Sequence, residues 1–149
     1  MTLRNAVLVL TATIVGGAAI SLLAADHPDF TGTWKLNDAN RPPSSTGPRE
    51  VVFKIKHQDP WFSYEATGRQ SNYAPFSEAY SFTTDGKTPE GDAKVKVVAG
   101  WRGDVLTTRY LSDGKEIGVV EYRLSADGTQ MTRDTVLMGK LGRETYDKQ

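Results

Sequence analysis

Turn signals recur at short, regular intervals along this chain and leave room for little besides strands. Asp85-Gly86, Gly103-Asp104, Asp113-Gly114 and Asp127-Gly128 are steps whose residues accept the positive φ that tight hairpins need, and Gly139-Lys140 marks a further break. The segments between them alternate. Glu50 to His57 sets Val51, Phe53, Ile55 and His57 on one face against Val52, Lys54 and Lys56. Phe76 to Thr84 sets Phe76, Glu78, Tyr80 and Phe82 against Ser77, Ala79, Ser81 and Thr83, and Ala93 to Trp101 places Val95, Val97, Ala99 and Trp101 together. A period of two marks a half-buried strand. Phe30 to Leu36, Trp61 to Gly68, Val105 to Leu111, Glu116 to Leu124, Gln130 to Met138 and Leu141 to Asp147 complete the series. About nine strands thus follow one another at roughly 8–12-residue spacing, and no stretch carries a helical period. The expected fold is all-β, an antiparallel up-and-down meander forming a β-barrel or strongly curved sheet of about 8–10 strands.

The first 25 residues read differently. Arg4 is the one charge before an uncharged run from Ala6 to Ala25, which ends in small residues. This is the pattern of a secretory signal, with the expected cut after Ala24 or Ala25. An uncleaved anchor is the alternative, because the run approaches the roughly 20 residues of a spanning helix. No cysteine follows to carry a lipid. Either way residues 26–149 are expected to be one exported domain, periplasmic or secreted.

Composition removes several classes of function. The 149 residues hold 18 Lys plus Arg against 18 Asp plus Glu. Loss of the leader removes only Arg4, leaving 17 against 18. Such a balance has no broad attraction for phosphate backbones, so nucleic acid is excluded as a partner. The absence of cysteine excludes disulfides, thiol catalysis and thiolate metal sites. No Ser-His-Asp arrangement, His-x-x-x-His, acidic Ca²⁺ loop or phosphate-cradling Gly loop is present. Neither a catalytic residue, a metal nor a cofactor is expected.

Phe30-Thr31-Gly32-Thr33-Trp34-Lys35-Leu36 resembles the first strand of the calycins, the lipocalin and fatty-acid-binding-protein group. Gly142 to Lys148 is similar to the last strand of fatty-acid-binding proteins. The chain also resembles small exported bacterial proteins with a lipocalin-like domain, through Phe-x-Gly-Thr-Trp-Lys-Leu-Asn and the turns Thr83 to Lys87 and Leu124 to Thr129. The resemblance implies a lipocalin-like barrel in which Gly32 and Trp34 form a structural plug at one end, covered by a late basic residue such as Arg143. Two features depart from the family. Asn37 to Arg49 is rich in proline and cannot form the two lid helices of fatty-acid-binding proteins. Arg143 and Tyr146 lie three apart rather than two, so they face opposite sides of a regular strand and the family's Arg-x-Tyr clamp does not carry over.

The alternating faces nominate a cavity lined by Phe53, Ile55, Tyr64, Tyr80, Val97, Tyr110 and Tyr122, with Glu78 and Arg143 as polar contacts. Glu78 needs a partner or a raised pKa if it faces inward, and Arg109, Arg123 or Arg143 could supply one; a shifted register would instead put it outside. His57 reads as a solvated residue beside Asp59. The function expected is non-catalytic binding of a small hydrophobic or amphiphilic molecule by an exported monomer that meets membrane only through an uncleaved leader. The alternative is an envelope or protein-interaction β-module with a packed core and no ligand, for which Trp61 and Phe62 would form an exposed aromatic patch.

Overall fold

The computed structural model describes residues 27–41, 47–89 and 93–149; the leader and residues 42–46 of the Pro-rich loop lie outside them. Among the described residues there are nine strands: β1 (Gly32–Leu36), β2 (Arg49–Gln58), β3 (Trp61–Arg69), β4 (Pro75–Thr83), β5 (Val95–Arg102), β6 (Val105–Ser112), β7 (Lys115–Leu124), β8 (Gln130–Leu137) and β9 (Lys140–Lys148). They form one antiparallel sheet in the order β4-β3-β2-β1-β9-β8-β7-β6-β5, curved into a nearly closed barrel. After β1 comes a single 3-10 turn, Asp38–Asn40.

The turns explain why the meander forms. Asp113-Gly114 and Met138-Gly139 each place two successive residues at positive φ, the backbone of the tight hairpin turn that matches strand twist. We call the end carrying these two turns the upper end. The lower end carries the turns after β2, β5 and β7.

Sheet order brings the first and last strands together, with Trp34 opposite Lys148. Trp34 is fully buried, and its Nε1–H donates to the Phe30 carbonyl at 2.8 Å. The cation that covers its ring is Lys148, with Nζ 5.2 Å from the centroid. Arg143 lies on the outer face instead, joined to Asp134. The glycine of the Gly-x-Trp segment has its reason here. Gly32 has φ +149°, and a Cβ on it would come within 2.9 Å of Lys148 Cε.

β4 and β5 close the barrel less completely. Both run from the upper to the lower end, so they cannot pair as a hairpin, and no register links them. The lower end of this gap is stitched by polar contacts. Gly86 N–H donates to the Ala99 carbonyl at 2.7 Å. Asp59, in the β2–β3 turn, accepts from Thr84 Oγ1 at 2.8 Å and from the Trp101 indole at 3.3 Å. The same carboxylate lies 3.0 Å from His57 Nε2, while His57 Nδ1 accepts from Phe30 N–H at 3.4 Å. His57 is therefore no solvated loop residue; its side chain is 4% exposed. His27 stacks on Trp101, with centroids 4.2 Å apart.

These contacts surround the filled half of the barrel. Phe30, Trp34, Phe62, Leu106, Tyr122 and Met131 are fully buried. Phe62 stacks on Phe82 and meets Phe30 edge-on. Because Phe62 belongs to this core, it cannot join Trp61, which is exposed, in a surface aromatic patch.

Two measurements check this arrangement. Gly32→Ala is expected to cost roughly 1–3 kcal/mol of stability in urea unfolding, because alanine must hold a rare backbone conformation against the lysine stem. Lys148→Ala is expected to cost less than about 1 kcal/mol, the scale of an exposed cation–π contact. Burial opposes ionisation of Asp59, but hydrogen bonds from His57 and Thr84 outweigh it and hold its pKa below the ordinary 3.8. A pKa lowered by folding gives stability that is present above the unfolded value and lost as pH falls through the folded one. The melting temperature is therefore expected to drop as pH falls from about 4, and less steeply in Asp59→Asn.

Candidate functional site

Above the filled half, the barrel interior opens. Tyr64, Glu78, Tyr80, Val95, Tyr110, Val120, Arg133, Thr135 and Leu137 are among the side chains around a cavity of about 260 Å³. At roughly 30 Å³ per water that space equals about nine waters, which suits a guest of about ten non-hydrogen atoms. Val95, Val120 and Leu137 make its wall apolar. Tyrosines bridge the unpaired side. The Tyr64 and Tyr80 rings lie 5.5 Å apart, and Tyr80 meets Tyr110 edge-on at 6.3 Å, which carries aromatic packing from β3 across the β4–β5 gap to β6.

Of the residues nominated from the sequence, Tyr64, Glu78, Tyr80 and Tyr110 line this cavity. Phe53, Ile55, Val97 and Tyr122 belong to the packed core. Arg143 is excluded as a cavity contact, because its guanidinium pairs with Asp134 at 2.6 Å on the outer face. Glu78 finds no partner in Arg143 or Arg123; Arg123 joins Glu121 and Asp134 in the same outer ladder. Arg109 is exposed.

The buried ion pair of the interior is Arg133 with Glu144, which the sequence reading did not nominate. The two stand opposite each other on β8 and β9, 3.2 Å apart, with side chains 18% and 14% exposed. The signal was in the phase, since Arg133 alternates with Met131 and Glu144 with Tyr146, both fully buried. Arg133 lies 5.7 Å from the Phe53 centroid and 5.9 Å from that of Tyr122. Glu144 Oε2 also accepts the Tyr146 hydroxyl at 2.7 Å.

This polar group is not fully satisfied. Arg133 Nε and the Tyr122 hydroxyl are buried with no hydrogen-bond partner among the described residues. A buried unpaired donor costs about 1–3 kcal/mol, and neither atom has surface open to the cavity. Burial pushes the Tyr64, Tyr122 and Tyr146 hydroxyls well above the ordinary tyrosine value. They stay protonated at neutral pH and can donate hydrogen bonds. Among the described residues no group of three or more His, Asp or Glu side chains is placed to hold a metal ion.

No family model matches the chain, and no curated protein matches it. Solved structures do. The wild-type fluorescent protein UnaG superposes with a TM-score of 0.60 at 16% identity, over 80% of this chain and 97% of that one. The REP1-NXSQ fatty acid transporter superposes with a TM-score of 0.56 at 12% identity, over 80% and 95%. The likeness shows that this chain shares their fold, a single antiparallel β-sheet curved into a nearly closed barrel. At such identities the likeness is one of fold, and the chemistry of the cavity rests on this chain's own residues.

Arg133 and Glu144 are expected to behave as a unit in denaturant unfolding. Arg133→Met strands a buried carboxylate and should cost about 3–5 kcal/mol, while Arg133→Met with Glu144→Gln should cost less than Arg133→Met alone. Additive losses would show the pair to be uncoupled.

Proposed function

We propose that this protein is an exported, non-catalytic binding protein that holds a small apolar or amphiphilic molecule in the upper half of its barrel. The observation that carries the reading is the apolar cavity of about 260 Å³ with a few polar groups converging on it, the usual make-up of a small-molecule site. The fold supports it, since one protein that shares the barrel is a fatty acid transporter. The leader supports export. The Tyr64 hydroxyl, whose ionisation burial opposes, suits hydrogen bonding better than general-base catalysis.

A second reading has one observation in its favour. Val136, Leu137, Met138 and Leu141 at the β8–β9 hairpin are exposed to between 41% and 86%, an apolar surface that suits a protein-interaction module. Filling the cavity separates the two. Thr135→Phe is expected to abolish saturable binding of an apolar fluorescent dye and to leave cooperative unfolding intact. If the wild-type protein shows no saturable dye binding, the small-molecule reading is lost and the interaction module takes its place.

A further inference from the structure

The wall of the cavity carries one negative charge that its other charged residue does not offset. Arg133 is already balanced by Glu144 at 3.2 Å. Glu78 also lines the space, and among the described residues it has neither an ion pair nor a hydrogen bond. Glu78 is exposed, and Tyr80 and Val95 of the same wall are 38% and 40% exposed, so the cavity opens to solvent on its β4–β5 side. Glu78 and Tyr80 lie two apart on β4 and share a face. The Tyr80 ring stands at 86° to that of Tyr110, and Tyr64 closes on Tyr80 at 5.5 Å. Rings from β3, β4 and β6 thus form an aromatic corner with a carboxylate beside it. Burial, and after it the Glu78 charge, pushes the Tyr80 hydroxyl above the ordinary tyrosine value, so the field of Glu78 reaches this corner. A ring face attracts a cation held within about 6 Å, by about 0.5–1 kcal/mol at an exposed site and about 2 kcal/mol when desolvated. Arg133 stands on β8, across the barrel from β4 in the strand order.

Resting on the binding function proposed above, we propose that the guest is an organic cation whose ammonium group sits in the corner of Tyr64, Tyr80 and Tyr110 beside Glu78. Its alkyl body packs on Val95, Val120 and Leu137. A tertiary or quaternary alkylammonium meets this description. Its charge is spread over alkyl groups that can touch the rings, and it has fewer N–H donors to strip of water than a primary ammonium. A carboxylate in the same place would face Glu78, a like charge. A neutral amide would gain nothing from the glutamate or from the negative ring faces.

Probes matched in size test this on the purified protein. Hexyltrimethylammonium, octanamide and octanoate are titrated calorimetrically at pH 7. The cation is expected to bind at least about tenfold tighter than either of the others, roughly 1.4 kcal/mol. In Glu78→Gln it is expected to lose about fivefold or more while octanamide changes little. Tyr80→Leu is expected to act in the same way, whereas Tyr80→Phe keeps the ring and the binding. Because Glu78 is exposed, Glu78→Gln is expected to leave cooperative unfolding intact. Octanamide or octanoate binding the wild-type protein as tightly as the cation would overturn the assignment of a cationic guest and leave the binding function standing. Cation affinity unchanged in both Glu78→Gln and Tyr80→Leu would overturn the placement in this corner. Saturable binding of the apolar dye with none of the three probes bound would also overturn the assignment alone. Binding of neither dye nor probes would overturn both.

Discussion

Everything in this barrel depends on the way Phe30 and Trp34 fill its lower half. Trp34 is anchored to the Phe30 carbonyl, and Phe30 in turn packs on Phe62 and Tyr122. These rings come from β1, β3, β7 and the segment before β1, so one aromatic cluster ties together distant parts of the sheet. Aromatic side chains of this size supply the largest burial available per residue. A chain without cysteine has no covalent substitute for it. Closure of the sheet follows, because the same tryptophan sits opposite Lys148 on the last strand.

The hollow half lies beside the unpaired seam of the sheet, with Tyr80 of β4 and Val95 of β5 in its wall. β4 and β5 run in the same direction, and among the described residues no strand register joins them as it joins every other seam. At the lower end Asp59, Thr84 and Trp101 bridge the seam with hydrogen bonds. Higher up, side chains take over, and the rings of Tyr80 and Tyr110 meet across it. The inward-facing residues there are a glutamate, tyrosines, a threonine and an arginine rather than close-packing aliphatics, and their shapes leave space. Binding capacity therefore resides where the sheet is least complete, and stability resides where it is filled.

Strand identity and order of appearance were legible from the sequence because alternation and turn chemistry are local. All nine strands lie within two residues of their expected bounds. The interior was less legible. Tyr64, Glu78, Tyr80 and Tyr110 could be given a face, but whether that face meets a cavity or a neighbour depends on volumes summed over several strands. Phe53 and Tyr122 share the inward phase and are packed solid. Arg133 and Glu144 were missed for a different reason. A charged residue in an alternating strand reads as solvent-facing until its cross-strand partner is known, and that pairing is a property of register. His57 went the same way: its partners Phe30 and Asp59 come together only when the segment before β1 folds across the lower end.

The central claim is that one half of the interior is filled and the other is hollow and apolar. Methyl NMR under xenon pressure tests it most directly, since xenon enters apolar cavities and spares close-packed cores. The division predicts saturable shifts for the methyls of Val95, Val120 and Leu137 and none for those of Ile55, Leu106 and Met131. Shifts confined to the second set, or absent from both, would contradict it.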